Sequence, residues 1–325
     1  MHLKIYNELK EQNYRLEFLK NNIYCRVAAY PVNLIWILWY NRITGKGRRT
    51  AVIKRLYPDG KKKAFNITYD DGVLQDIPFV ELLDKYGIKG TFNLNSEFME
   101  NEFEWQHEKG FTVKRLSSAV ASGLYTGHEV ASHTLTHPYM HHMEREEVLW
   151  QLGKDRENLE KLFGRKIRGF GVPFDYYSDM IADCARQCGF EYARNSLQTL
   201  DYTPCRDYYN WSAGIFHLNP KLKEYINGFF ETDRELALCQ IVGHSYDLDA
   251  ENMWQDMEEI LERIAADSDT ISMTHGEIVA YLKAIRSAEI TDNCIVNKSD
   301  ITLWFEVDDA IVSVAPLGKH LLQHS

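Results

Sequence analysis

The sequence predicts an α/β fold in which a mostly parallel sheet, open or closed as a barrel, carries helices on its outside. Three observations point there. Short apolar runs and longer amphipathic stretches alternate from residue 64 to residue 285. The length of 325 residues suits a single barrel of about 200–250 residues with extensions as well as two average domains. The composition, 45% hydrophobic and 26% charged, is that of a globular chain with ample material for a core. It excludes disorder, collagen-like repeats and a disulfide-stapled miniprotein.

The first 49 residues read as a separate helical, basic extension. Met1–Lys20 is polar and charged throughout, unlike a standard secretory signal, and residues 1–22 suit a polar helix. Val27–Tyr40 is the longest apolar stretch, 14 residues interrupted by Pro31 and Asn33. A membrane-spanning helix needs about 20, so a buried or interfacial helix is expected here, with a short anchor as the alternative. Asn41–Arg49, with Gly45 and Gly47, reads as a linker.

Charge is divided unevenly. Residues 1–63 hold 14 Lys and Arg against 4 Asp and Glu, leaving 23 against 43 in the remainder. The acidic body argues against nucleic acid as a ligand. The basic head suits a solvated arm, or contact of residues 23–63 with an anionic membrane surface. With no clean export signal in view, a cytoplasmic location is the expectation. Membrane association or export through residues 27–40 is the alternative.

From residue 50 the elements follow in order. Thr50–Tyr57 and Lys62–Tyr69 flank Pro58-Asp59-Gly60, a hairpin signal. Strands are expected at Ala64–Tyr69, Gly90–Leu94, His128–Ser132, Gly169–Val172, Leu236–Gly243 and Thr270–Met273. Helices are expected at Asp76–Tyr86, Val113–Ala121, Arg145–Leu162, residues 177–188, Asn252–Ala265 and Gly276–Ile285. In the long Arg145–Leu162 helix, Val148, Leu149, Leu152, Leu159 and Leu162 fall near helical spacing. Residues 287–325 switch to period-two patterning around Trp304 and Phe305 and read as a small β appendage. None of the six cysteines forms a C-x-x-C pair. Cys184 and Cys188 share a helix face and read as ordinary buried thiols.

Four short stretches follow expected strands, where parallel α/β folds build their sites. They are Thr68-Tyr69-Asp70-Asp71-Gly72, Ser132-His133-Thr134-Leu135-Thr136-His137-Pro138, Gly169-Phe170-Gly171-Val172-Pro173-Phe174-Asp175 and Val242-Gly243-His244-Ser245-Tyr246. Each alone has an ordinary reading: a polar turn, a histidine pair, a plain loop, a core histidine. Together they form a coherent set. Asp71, His133 and His137 offer one carboxylate and two imidazoles, which suits one divalent ion with an open position. Zn²⁺ is the first choice, with Co²⁺, Ni²⁺ or Mn²⁺ also accommodated. Asp70 is left as a base and His244 as a proton donor. Nearby His141 and His142 add imidazoles without ligand spacing, and His128 reads as structural.

In this combination and order, the motifs resemble those of the polysaccharide deacetylase family, the NodB-homology, carbohydrate esterase 4-like enzymes, over about Thr50–Arg286. The resemblance implies a distorted (β/α) barrel over residues 50–286. It also implies metal-dependent hydrolysis of acetyl groups on N-acetylated sugars, or sometimes on O-acetylated xylan. Asp70 matches the catalytic base, Asp71, His133 and His137 the metal ligands, and His244 the catalytic acid. The Phe174 backbone N–H matches the oxyanion donor. Trp211, in Asp207-Tyr-Tyr-Asn-Trp211, falls where the family has an aromatic near the acetate pocket. Pro173 and Tyr246 are further substrate-side candidates. One departure stands out: Gly171 occupies the position of a motif arginine that pairs with the base, and Arg194, in Tyr192-Ala-Arg194, is the candidate replacement. Two other functions are compatible with the pattern: hydrolysis of cyclic amides or imides on the same fold, and carbohydrate binding without catalysis.

Overall fold

The computed structural model describes residues 51–101 and 103–322. The expectations for residues 1–49 therefore lie outside the described residues. Among those described, no helix is long and apolar enough to cross a membrane.

The parallel strands are β2 (Lys63–Asp70), β3 (Gly90–Leu94), β6 (Glu129–Ser132), β7 (Gly169–Gly171), β8 (Tyr192–Gln198), β9 (Trp211–Ala213), β10 (Ile215–Phe216) and β11 (Ala237–Gly243). Their spatial order is β10-β11-β2-β3-β6-β7-β8-β9. Strands β9 and β10 are separated by Gly214 alone. The stretch 211–216 therefore pairs first with β8 and then with β11, and the sheet curls into a nearly closed, distorted barrel. A Cβ at Gly214 would stand 2.5 Å from the Gln240 carbonyl oxygen, so a side chain there would push the kinked stretch off β11. Strand β12 (Thr270–Ser272) fills the place beside the start of β2 that β3 does not reach.

The barrel helices are α1 (Asp76–Lys85), α3 (Ser118–Leu124), α4 (Arg145–Phe163), α5 (Asp179–Gln187), α6 (Leu222–Glu231), α8 (Trp254–Ala266) and α9 (His275–Ser287). Two short ones, α2 (Ser96–Glu100) and α7 (Ser245–Ala250), start just past strand ends. Alternation along each strand sorts the side chains. In β2, Phe65, Ile67 and Tyr69 belong to the main apolar core, while Asn66, Thr68 and Asp70 alternate with them. Helix α4 buries Val148, Leu152 and Leu159 in that core, as the spacing requires. It begins with a capping box, Glu144 with Glu147, and ends at Gly164 in the left-handed region. Cys184 and Cys188 are free thiols, placed against the Arg145 and Leu149 carbonyls of α4.

Three expectations are corrected. The 50–57/62–69 hairpin does not form. β1 (Ile53–Leu56) pairs antiparallel with β15 (Leu303–Val307), and Tyr57 and Lys61 make a single bridge around Pro58–Gly60. Strand β2 already has parallel partners on both sides, so no edge is left for β1. The helix expected at 113–121 begins only at Ser118. Thr112–Lys114 (β5) instead forms a small hairpin with β4 (Glu104–Gln106), and this hairpin carries Arg115 inward. Trp304 and Phe305 lie within β15 rather than between strands.

β15 also pairs with β16 (Ala310–Val314), and β13 (Glu289–Ile290), β14 (Cys294–Val296) and β17 (Lys319–Leu321) make a second small sheet. A second apolar core joins Ile295, Leu303 and Phe305 to Ile278, Leu282 and Ile285 of α9 and to residues at the starts of β2, β8, β9 and β11. The small sheets thus close the end of the barrel where strands begin, leaving the other end for chemistry.

Candidate active site

The four motifs meet at the end of the barrel where the strands finish, around a cavity of about 350 Å³. Asp70, Asp71, His133, His137, Phe174, His244 and Tyr246 all line it. Val172, Phe216 and Val242 supply apolar wall.

Asp70 is the last residue of β2 and is buried. Its Oδ1 accepts hydrogen bonds from Asn93 Nδ2, at 2.6 Å, and from Arg194 Nη2. Arg194 is itself buried and faces Gly171 across the β7–β8 pair. A Cβ at Gly171 would lie 2.8 Å from Arg194 Nη2 and from Asn93 Cγ. The glycine is what lets the guanidinium reach Asp70. Burial opposes the Asp70 charge, but Arg194, followed by His133 and His244, holds the carboxyl below its usual range.

At Asp71 the chain turns out of the strand with φ 89°, a left-handed conformation stabilised by an N–H bond to the Asn93 carbonyl. The turn brings the second carboxylate to the same rim as the first. Arg115 Nη1 donates to the Asp71 backbone carbonyl and to Asn95 Oδ1, and lies 2.9 Å from Asp71 Oδ1. Its guanidinium sits 5.1 Å from both the Phe98 and Trp105 rings. Burial opposes charge on Asp71 as well. Arg115 first, then His244 and His137, keep it ionised well below the carboxylate range.

His133 follows β6, and its Nδ1 donates to the Gly171 carbonyl at 2.7 Å, leaving the Nε2 lone pair free. The H-x-x-x-H stretch is not helical: Thr134 and His137 have φ 67° and 51°. That turn sets the two rings 4.8 Å apart. Burial lowers the pKa of His133, and burial together with His133 pushes His137 down to about 4, so both imidazoles are neutral near pH 7.

The donor set fits a divalent cation. One ligand atom from each of Asp71, His133 and His137 lies within 4.8 Å of the others. Asp71 Oδ1 is buried yet accepts no aligned hydrogen bond, although Arg115 stands beside it. A buried carboxylate oxygen without a donor is costly unless a cation completes it.

His244 faces this group from the end of β11, its Nε2 4.0 Å from Asp71 Oδ2. Its Nδ1 donates to Asp247 Oδ2 at 3.0 Å. The same oxygen accepts from His217 Nε2 at 3.1 Å, and His217 Nδ1 accepts from the Tyr69 hydroxyl at 2.6 Å. Burial works against a charged His244. The Asp247 hydrogen bond and the charges of Asp71, Asp70 and Asp247 outweigh it and raise the pKa to about 9. Tyr246 stacks on the His244 ring at 4.9 Å.

Phe174 sits in a tight turn with φ 54° that follows Pro173. Phe174 lines the cavity, whereas Pro173 is buried and has no N–H to offer. Trp211 is a correction. It is 1% exposed and lies in the second core, where its indole donates to Gln240 Oε1 at 2.8 Å. It is the first residue of β9, at the strand-start end of the barrel, so it does not reach the cavity. The aromatic wall is built by Phe174, Phe216 and Tyr246 instead.

Four supporting residues escaped the sequence reading. Asp247 lies three residues after His244, a spacing that could have revealed it. Asn93 is a polar residue at an inward position of an apolar strand, also a readable signal. Arg115 and His217 come from a hairpin and a loop far along the chain and carried no local signal.

Comparison with known proteins agrees with this geometry. The polysaccharide deacetylase family model matches residues 57–193. A chitin deacetylase from Amylomyces rouxii is 24% identical over 201 residues, covering 59% of this chain and 42% of that one. The protein YlxY of Bacillus subtilis strain 168, itself uncharacterized, is 24% identical over 147 residues, covering 45% and 41%. The chain thus spans about two-fifths of the length of these curated relatives. Among solved structures, a candidate polysaccharide deacetylase from Mycobacterium smegmatis has a TM-score of 0.51 at 15% identity, covering 74% of this chain and 97% of that one. That similarity supports the shared barrel. The matched segment runs from the residue before the Pro58 turn into β8 and contains Asp70, Asp71, His133 and His137, and over that segment the chain is similar to the polysaccharide deacetylase family.

Proposed function

We propose that this protein is a metal-dependent N-deacetylase acting on N-acetylated sugars. The observation that carries the reading is the opposition of two groups across one cavity. Asp70, clamped by Arg194 and Asn93, and His244, backed by Asp247, flank the Asp71–His133–His137 cluster. An amide needs a base on the attacking water and an acid on the leaving nitrogen, and these residues offer both.

Asp71, His133 and His137 would hold the ion, with Zn²⁺ the first choice for a mixed nitrogen and oxygen set. When bound, it would supply a Lewis acid and lower the pKa of water at neutral pH. Asp70 is ionised and positioned to take a proton from water as its oxygen attacks the acetamide carbon. The Phe174 N–H is the protein donor for the developing oxyanion. His244, protonated in the ion-free protein, gives its proton to the amine nitrogen as the C–N bond breaks, leaving acetate and a free amine. The apolar wall of Val172, Phe216 and Val242 suits the acetyl methyl group.

The test is acetate release from N-acetylglucosamine oligomers by Zn²⁺-reconstituted protein. The expected result is turnover that falls about 10²–10⁴-fold in Asp70→Asn. Near-normal turnover in that variant would overturn the assignment. Activity on cyclic imides alone would replace it with the amidase function, and binding without acetate release would leave a carbohydrate-binding protein.

A further inference from the structure

Two buried polar side chains outside the donor set tie together the turns that carry the metal-ligand candidates. Asp71 with φ 89° and Thr134 with φ 67° both hold a left-handed conformation that residues with a Cβ seldom adopt. Such a backbone persists only where its surroundings fix it from several sides. Here the fixing bonds converge on Asn95, which follows β3 and is buried. Its Nδ2 donates to the His133 carbonyl and, at 2.8 Å, to the Thr134 carbonyl. Its Oδ1 accepts from Arg115 Nη1 at 3.0 Å, and the same nitrogen donates to the Asp71 carbonyl. One chain of bonds thus runs from the Asp71 peptide through Arg115 and Asn95 to the peptides of His133 and Thr134.

Arg115 is itself held firmly. It bridges Val73 across the backbone, while the Leu74 N–H donates to the Lys114 carbonyl and the Leu116 N–H to the Gly72 carbonyl. The end of the β4–β5 hairpin is therefore stitched to the segment that leaves the Asp71 turn. The Phe98 and Trp105 rings stand against the guanidinium and limit its swing.

Charge and geometry act in opposite directions at this point. A cation 2.9 Å from Asp71 Oδ1 repels an incoming divalent ion, so by charge alone Arg115 weakens metal binding. By its bonds it does the reverse, because ligands that already stand in place lose less freedom on binding.

We propose that Arg115 and Asn95 are positioning residues that act as one unit. They set the Asp71 turn against the His133–His137 turn before an ion arrives, and they make the β4–β5 hairpin part of the support of the metal site. The metal half of this rests on the reading of Asp71, His133 and His137 as ligands. The bond chain itself belongs to the ion-free protein.

The experiment compares wild type with Arg115→Met, Arg115→Lys and Asn95→Leu, each checked for fold by circular dichroism and Tm. Amide hydrogen exchange in the ion-free protein is the first readout. Exchange over residues 71–74 and 133–137 should quicken at least tenfold in Arg115→Met and Asn95→Leu, with β11 and α8 unchanged. The second readout is the Zn²⁺ Kd by calorimetry. It should weaken by roughly 10–100-fold in Arg115→Met and in Asn95→Leu, the latter with no change of charge. Arg115→Lys, which can donate to the same oxygens, should stay within threefold of wild type. In the double variant the loss should fall short of the product of the single losses, since breaking either half breaks the unit. Tighter Zn²⁺ binding by Arg115→Met would show that Arg115 acts through charge alone and overturn the proposal. Exchange unchanged in the two turns, exchange quickened equally throughout the fold, or strictly multiplicative losses would also overturn it. If wild type takes up no Zn²⁺, the metal reading fails and exchange decides alone: quickening confined to the two turns upholds the unit. Should Arg115→Met fail to fold, Asn95→Leu decides by the same two readouts.

Discussion

Gly171 and Arg194 are register partners on adjacent parallel strands, and the missing side chain of the first makes room for the guanidinium of the second. The cation that pairs with Asp70 comes from β8 because β7 presents no side chain at that level.

Substituting Gly171→Ala should therefore behave as an active-site mutation. The new Cβ would crowd Arg194 and Asn93, the two donors to Asp70. Overpacking of this kind costs about 1–3 kcal/mol. Turnover should fall at least tenfold with the fold intact by circular dichroism. Unchanged kcat would show that the Arg194 clamp is not needed.

Removing the cation itself should act on both stability and pH dependence. Arg194→Met leaves a buried carboxylate unpaired, at a cost of about 3–5 kcal/mol. Arg194 holds Asp70 low, so its loss raises the Asp70 pKa. The base is then protonated at higher pH, and the acid limb of the kcat/KM profile should move upward. An acid limb at the wild-type position would separate that limb from Asp70.

Metal content provides an independent check on the Asp71, His133 and His137 cluster. After reconstitution and removal of excess, elemental analysis should find about one ion per wild-type chain. Zn²⁺ at 100 times its Kd should stabilise the wild type by about 2.7 kcal/mol, read as a rise in Tm. In His133→Ala both effects should vanish. Equal loading of variant and wild type would place the ion elsewhere.

In the ion-free protein His244 titrates near 9 because Asp247 accepts its Nδ1–H and three carboxylates face it against the cost of burial. Asp247→Asn should bring that pKa down by at least one unit in an NMR titration. The stability sign follows from a raised folded-state value. The contribution is complete below the unfolded histidine pKa, about 6.5, and is lost as pH rises through about 9. The variant should show a weaker dependence, because Asp70 and Asp71 still face the ring.

A second pH effect lies outside the chemistry. Burial pushes Asp155 up to about 7, although Ser132 Oγ and the Ser96 N–H both donate to it. A carboxyl whose folded pKa exceeds its unfolded value of about 3.9 favours the fold most at low pH and loses that contribution as pH rises through about 7. Relative to wild type, Asp155→Asn should lose less stability between pH 5 and pH 8 in denaturant melts. Parallel curves for the two proteins would rule out Asp155 as the titrating group.

The sequence by itself determined the barrel and the identity of its chemical groups. Strands and helices alternate with enough periodicity that β2, β3, β11 and α4 lie within a residue of their expected bounds. Side chains at strand ends must face the rim, so Asp70, Asp71, His133 and His244 were legible as a set. Hydrophobic periodicity reports only how a segment faces its own core, however, and says nothing of which distant segment lies beside it. For that reason the partner of β1, the inward delivery of Arg115 and the His217–Asp247–His244 relay were decided by the tertiary structure. Trp211 shows the same limit from the other side. Its aromatic character was readable, but its height along the barrel was not, because only the ring of neighbouring strands sets whether a residue stands at the core or at the rim.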